Sequence, residues 1–351
     1  MTQTGIRVTG GVDTHKDTHT VAGLDQYGRE LGTRQFPATA RGYRGLYAWL
    51  TGLGTLEVVG VEGTGSYGAA LSGYLASRQV PVLEIDRPER AGRRRQGKSD
   101  PLDALAAARA ALGGRRTVIP KQHDGKVESL RVLHVARRSA VDQRSDTQRQ
   151  IKSLLVTAPE RLRARLRALS ITRLVTTLSA LRPDPTRSTE PTCATELALR
   201  ALARRHQNLT TEINDLDVLI KPLVAAINPE LLKVYGIGPE TAAKLLISVG
   251  ENSERMRTEA SFAMLAGTAP LPASSGLTSR HRLNRGGDRQ ANSALYRIAI
   301  TRLAHHQLTQ EYMRRRTTEG LSKKEIIRCL KRYIAREIYP ILINPHTTPN
   351  T

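Results

Sequence analysis

Three short segments carry carboxylates in positions that suit metal chemistry. Asp13 ends an apolar run in Gly11-Val12-Asp13-Thr14-His15-Lys16, and Glu62 ends another in Val61-Glu62-Gly63-Thr64-Gly65. Asp100 and Asp103 open an Ala/Leu-rich stretch in Ser99-Asp100-Pro101-Leu102-Asp103-Ala104, where i, i+3 spacing puts both on one helical face. A helix cap and a first-turn dipole partner would account for Asp100 and Asp103 taken singly. That reading leaves two acids at strand ends unexplained. Four convergent carboxylates require cations, and hard oxygen ligands suit Mg²⁺ or Mn²⁺. Such ions orient a phosphate and activate a nucleophile. For His15 and His19 a solvated polar role is the simpler reading beside that of auxiliary ligand or base.

A second chemistry is suggested by Ser274-Ser275-Gly276, followed by Arg280, Arg282, Arg285 and Arg289. A serine in a glycine-containing loop among arginines can attack a phosphodiester, the guanidinium groups stabilising the charge that develops. The tripeptide alone is an ordinary loop sequence, and spacing assigns no Ser-His-Asp arrangement. Gly92-Arg93-Arg94-Arg95-Gln96-Gly97-Lys98-Ser99 matches a Walker A pattern letter for letter. ATP binding is nonetheless not expected there: Pro101 biases Asp100 away from helical geometry, so a helix begun at Lys98 is interrupted at once. Arg93, Arg94, Arg95 and Lys98 are read instead as a nucleic-acid contact. Val234-Tyr235-Gly236-Ile237-Gly238-Pro239 followed by an Ala/Leu helix reads as a helix-hairpin-helix turn, with Gly236 and Gly238 allowing backbone to approach a phosphate.

The elements that position these residues are read from periodicity. Strands are expected near residues 6–13, 19–24, 30–36, 56–61 and 80–85, and helices near 43–50, 67–78 and 100–112. The order β-β-β-α-β-α-β-α is that of a ribonuclease-H-like sheet and differs from a doubly wound Rossmann order. Beyond residue 113 strand signals disappear. A long polar helix is expected at 126–155, a Pro-rich break at 181–191, and a heptad seam at Leu202, His206, Leu209, Ile213, Leu216, Ile220 and Leu223. The seam is read as a dimerising coiled coil in preference to packing on its own core. The expected class is α/β plus all-α in three parts. Residues 1–112 form a ribonuclease-H-like domain with the acidic set, 113–225 a helical coiled-coil region, and 226–351 a mostly helical C-terminal domain with the hairpin and the serine.

Composition narrows the partners. Lys and Arg number 54 against 32 Asp and Glu, giving a formal charge of +22 and a pI near 10.7. An excess of this size, largely arginine and clustered (Arg314-Arg315-Arg316 is one run), points to nucleic acid. Aromatic residues make up 4%, too few for a binding module built on base stacking. Two distant cysteines, Cys193 and Cys329, suggest neither a zinc site nor a disulfide framework. No signal-peptide pattern and no membrane-length apolar run is read, so the expectation is a cytoplasmic protein of a prokaryotic cell, on nucleoid DNA, without a membrane partner.

The stretches 11–16, 61–68, 97–104, 235–243, 266–276 and 282–295 together resemble the IS-one-ten family of insertion-sequence transposases, the bridge-RNA-guided DEDD recombinases. The resemblance runs through nearly the whole chain in the family's order. It implies a RuvC-like domain whose metal-binding acidic set falls on Asp13, Glu62, Asp100 and Asp103. It also implies a C-terminal transposase domain whose nucleophilic serine, the one before glycine, falls on Ser275, with Ser274 adjoining it. Donor and target DNA, a guide RNA, and a homo-oligomer (a dimer, tetrameric in synapsis) are the implied partners, and a phosphoserine–DNA intermediate is the implied chemistry. A metal-dependent Holliday-junction-type endonuclease, which needs no serine, and a non-enzymatic architectural DNA-binding protein are the alternatives.

Overall fold

A computed structural model describes residues 5–85, 99–114, 117–274 and 281–344. The chain forms two compact units: Met1–Gly125 with Val249–Arg255, and Lys126–Ser248 with Met256–Thr351. Among the described residues, no helix is long and apolar enough to cross a membrane.

The first unit is a mixed sheet with helices on both faces. Its elements are β1 (Arg7–Thr14), β2 (Thr18–Leu24), β3 (Glu30–Pro37), α1 (Ala40–Leu53), β4 (Thr55–Glu62), α2 (Ala69–Ser77), β5 (Val82–Ile85), α3 (Asp100–Leu112) and β6 (Thr117–Val118). The strand order is β3-β2-β1-β4-β5-β6. The first three strands are antiparallel neighbours, β4 runs parallel to both β1 and β5, and β6 returns antiparallel to β5. Up to α3, the described elements follow the order read from periodicity. The short strand β6 was not expected: two residues are too few to show an alternation, and they pair only because β5 leaves an edge open.

Central β1 is buried along nearly its whole length, as a strand covered on both faces must be. One face packs Val8, Val12, Val59 and Val61 against Leu46 and Leu50 of α1 and Leu71 and Leu75 of α2. Burying each such side chain contributes about 1.5–3 kcal/mol. The opposite face carries α3, whose Ala104, Leu105 and Ala108 meet Ala22 and Leu24. Thr39 caps α1, its side-chain oxygen accepting from the Gly42 N–H.

The second unit is helical apart from one small hairpin among the described residues. It holds α4 (Gly125–Thr157), α5 (Glu160–Leu166), α6 (Ile171–Ser179), α7 (Pro191–Ile227), α8 (Pro239–Val249), α9 (Glu259–Leu265), β7 (Leu271–Pro272), β8 (His281–Arg282), α10 (Arg289–His305), α11 (Gln307–Thr318) and α12 (Lys323–Ile343). Long helices α4 and α7 run antiparallel. Arg137 grips Asp217 with two hydrogen bonds (2.7 and 3.1 Å), Arg144 donates to Thr210, and Gln148 meets His206 at 2.8 Å. Between these polar ties, Leu209 and Ile213 of the heptad seam pack on Ala140 of α4. This stretch of the seam is therefore filled within one chain. The heptad signal is the same whether the partner helix is in the chain or in a second copy.

Candidate metal centre

Backbone register brings two acidic residues level at one end of the sheet. Val12 pairs with Val61 across the parallel β1–β4 ladder, so Asp13 and Glu62 come next on adjacent strands. The Thr14 hydroxyl donates to the Glu62 carbonyl at 2.7 Å and ties the two ends together. Gly63 then turns with φ +72°, a conformation that favours glycine, and the Gly68 N–H closes the turn onto the Gly63 carbonyl.

Helix α3 reaches the same place because two glycines let it lie flush on the sheet. A Cβ on Gly11 would stand 2.1 Å from the Ala108 nitrogen and 2.3 Å from the Ala104 oxygen. One on Gly60 would stand 2.8 Å from the Ala107 oxygen. An alanine face on α3 and glycines on β1 and β4 thus bring backbone against backbone. Ser99 occupies the N-cap position and Pro101 lies in the first turn, where its missing N–H costs nothing.

Asp13, His15 and Asp100 converge, each offering a ligand atom within 4.8 Å of the others. His15 Nε2 lies 3.2 Å from Asp13 Oδ2 and 3.4 Å from Asp100 Oδ1. The Nε2 atom itself is covered, although the His15 side chain is 46% exposed. Asp13 and Asp103 are buried, while the Asp100 side chain is 44% exposed. Burial raises the Asp13 pKa above the ordinary carboxylate value; the charges of Asp103 and Asp100 push the same way, and His15 pulls against them. An orphaned ring nitrogen between two carboxylates, with a third acid raising the local negative charge, fits a divalent cation. Glu62 and Asp103 lie outside the tightest group and flank it, Glu62 from β4 and Asp103 from the first turn of α3.

His15 was underrated from sequence. The usable signal was its position two residues after Asp13, since side chains two apart at a strand end share a face. His19 differs from its expected solvated role. It is fully buried, stacked on Tyr43 with ring centroids 5.7 Å apart, and Nδ1 stands 3.1 Å from the Thr18 carbonyl. It belongs to the face of the sheet that packs on α1.

Of the other expected site residues, Arg93, Arg94, Arg95, Lys98, Ser275 and Arg280 lie outside the described residues. Ser274 is the last described residue of its segment, and Arg282 lies on β8, Arg285 in the loop after it and Arg289 at the start of α10. Gly236 takes φ +85°, as the expected turn requires, and a Cβ on Gly238 would meet open space. The N-terminus of α8 already holds a carboxylate. Glu240 receives Arg137 at 2.8 Å, Lys244 at 3.0 Å and His134 at 3.3 Å. Burial works against its ionisation, but those three partners prevail and take its pKa down to about 2.

An acidic, cation-ready end of a mixed sheet is an arrangement suited to metal-assisted chemistry on phosphates. Residues 10–158 match a DEDD transposase model of the IS110 (IS-one-ten) type, and residues 228–314 match the model described as "Transposase IS116/IS110/IS902 family". The chain belongs to the IS110 family of transposases. A 43.6 kDa protein of the insertion element IS110 from Streptomyces coelicolor is 31% identical over 147 residues, 41% of this chain. That match spans 35% of the relative's own length.

Proposed function

We propose that the protein is the transposase of an insertion sequence, a recombinase that cuts and rejoins DNA strands with an acidic metal centre and a serine nucleophile. The observation that carries this reading is the convergence of Asp13, His15 and Asp100 beside Glu62 and Asp103. The strand order, with the acids on β1, β4 and the helix laid over β1, supports a RuvC-like assignment of the first unit. Asp13 and Asp100 would hold the cation, with His15, Glu62 and Asp103 completing or orienting its surroundings. When bound, Mg²⁺ or Mn²⁺ supplies charge stabilisation to a phosphodiester. Family resemblance assigns the attack to Ser275. Its Oγ bonds to phosphorus, the bond from phosphorus to one deoxyribose oxygen breaks, and that oxygen leaves with a proton. A hydroxyl end of another strand then attacks the phosphoserine, restores the serine and joins the new strands.

A guide RNA belongs to the same proposal. Contacts to phosphate carry no base sequence directly, and no base-reading helix is apparent in the sequence, so pairing with a bound RNA supplies the choice of site. Holding two DNA partners at once calls for at least two copies. The glycine turn at Gly236 supports a helix-hairpin-helix. Because Glu240 occupies the start of α8, the backbone around Gly238 is the part free to meet a phosphate. The test is reconstitution on donor and target DNA with RNA transcribed from the element's flanks. Recombination that follows changes in the guide bases supports the reading, and site-specific recombination by RNA-free protein refutes the guide.

A further inference from the structure

A pocket of about 970 Å³ in the second unit carries an unusual charge pattern. One wall is a face of α12 bearing Arg328, Arg332, Tyr333 and Arg336; the other is the base of the β7–β8 hairpin, including Arg282. Arg332 is committed to Glu259. Arg282 and Arg336 have no carboxylate within ion-pair distance among the described residues, whereas the charge of Arg328 acts on Glu325, whose pKa it helps to lower. Glu325 is the one acid among the lining residues described, and it is engaged in the Ser322 capping box.

Lys331 sets this pocket apart from a solvated basic face. It lines the pocket yet is 7% exposed. Among the described residues its ammonium has no carboxylate partner. It donates to Asn292 Oδ1 at 2.9 Å. Asn292 is oriented for this, since its Nδ2 donates to the Ala266 carbonyl at 2.8 Å. A buried ammonium held by one neutral acceptor costs free energy until an anion arrives. Burial and the neighbouring Arg328 hold the Lys331 pKa below the ordinary lysine value, in keeping with a cation short of counter-charge.

We propose that this pocket holds the sugar-phosphate backbone of a DNA strand, with Lys331 as the buried phosphate ligand, Arg328 and Arg336 at the rim, and Tyr333 as a stacking surface for a base. Tyr333 is 52% exposed and is held edge-on by Tyr312 at 5.8 Å. The choice of DNA rests on the proposed transposase function, since residues 228–314, which supply the hairpin wall, match a transposase model, and on the excess of positive charge around the pocket.

The test is a fluorescence-anisotropy titration of labelled duplex DNA in EDTA over a series of KCl concentrations, repeated with an RNA duplex of the same sequence. Lys331→Met is expected to bind DNA at least tenfold more weakly at fixed salt, with an unchanged melting temperature. The double variant Arg328→Ala/Arg336→Ala, altered only at exposed positions, is expected to flatten the log K against log salt slope by about 0.9 per lost contact. If Lys331→Met does not fold, the arginine pair decides. DNA affinity and slope unchanged in the variants overturn the proposal, as does a loss confined to the RNA duplex. None of these measurements uses Ser275, so absence of a covalent adduct in wild-type protein would remove the serine mechanism and leave the pocket to stand on the titration.

Discussion

In the proposed reaction the chemistry turns on Asp13, and its surroundings make a direct prediction. A buried carboxylate with a raised pKa binds its proton more tightly in the folded state. Between the ordinary carboxylate value and that raised value, metal-free protein therefore loses stability as pH increases. Asp13→Asn removes the like-charge strain, so the metal-free variant should melt a few degrees above wild type at neutral pH. The same change should abolish the rise in melting temperature that Mg²⁺ or Mn²⁺ gives wild type. A metal-induced rise that survives in Asp13→Asn places the cation elsewhere. Asp13 and Asp100 were legible as candidate ligands because acids ending an apolar run and opening a helix are conspicuous, and both fall in the tightest group. His15 was not, since a histidine in a turn looks like any solvated one until its ring nitrogen is seen between two carboxylates.

Two elements have consequences of their own. Helix α3 delivers Asp100 and Asp103 only because Gly11 and Gly60 leave it room. Gly11→Val should cost about 3 kcal/mol or more, since backbone on both sides must move apart, and should weaken metal binding even though every acid is retained. Thermal melting alongside metal titration checks this, and a variant with normal metal affinity shows that α3 has slack. Helix α8 gives a pH prediction. The Glu240 pKa falls from 4.5 to about 2 on folding, so its contribution to stability is complete above the unfolded value and disappears as pH falls between those limits. The gap in melting temperature between wild type and Glu240→Gln should be constant near neutrality and close below about pH 4.5. A gap independent of pH would show that the ion pairs add nothing. Helix α7 shows a limit of sequence reading. Its heptad was plain, but a periodic stripe does not say which helix covers it, and α4 covers Leu209 and Ile213. Leu209→Asp should accordingly lower the melting temperature at every protein concentration, where loss of a dimer seam alone would give a concentration-dependent effect.

At the scale of the whole molecule, a +22 charge and an acidic centre oppose one another in sign and serve different tasks. In the proposed function the basic surface would collect nucleic acid without regard to sequence, and the small negative site at the end of β1 would draw in the cation that a phosphodiester then requires. The α/β character of the first unit and the helical character of the second were legible because their periods differ. Strand β6 was not, being too short to show a pattern. The central claim is that metal centre and serine act in one strand-transfer reaction, and one denaturing gel tests it. Wild-type protein, Asp13→Asn and Ser275→Ala are each incubated with end-labelled donor DNA, with Mg²⁺ or with EDTA. A protein-linked DNA band is expected for wild type in Mg²⁺ alone, and none for either variant although both still bind DNA. Cut DNA without a protein-linked band, or a band that persists in EDTA or in Ser275→Ala, contradicts it.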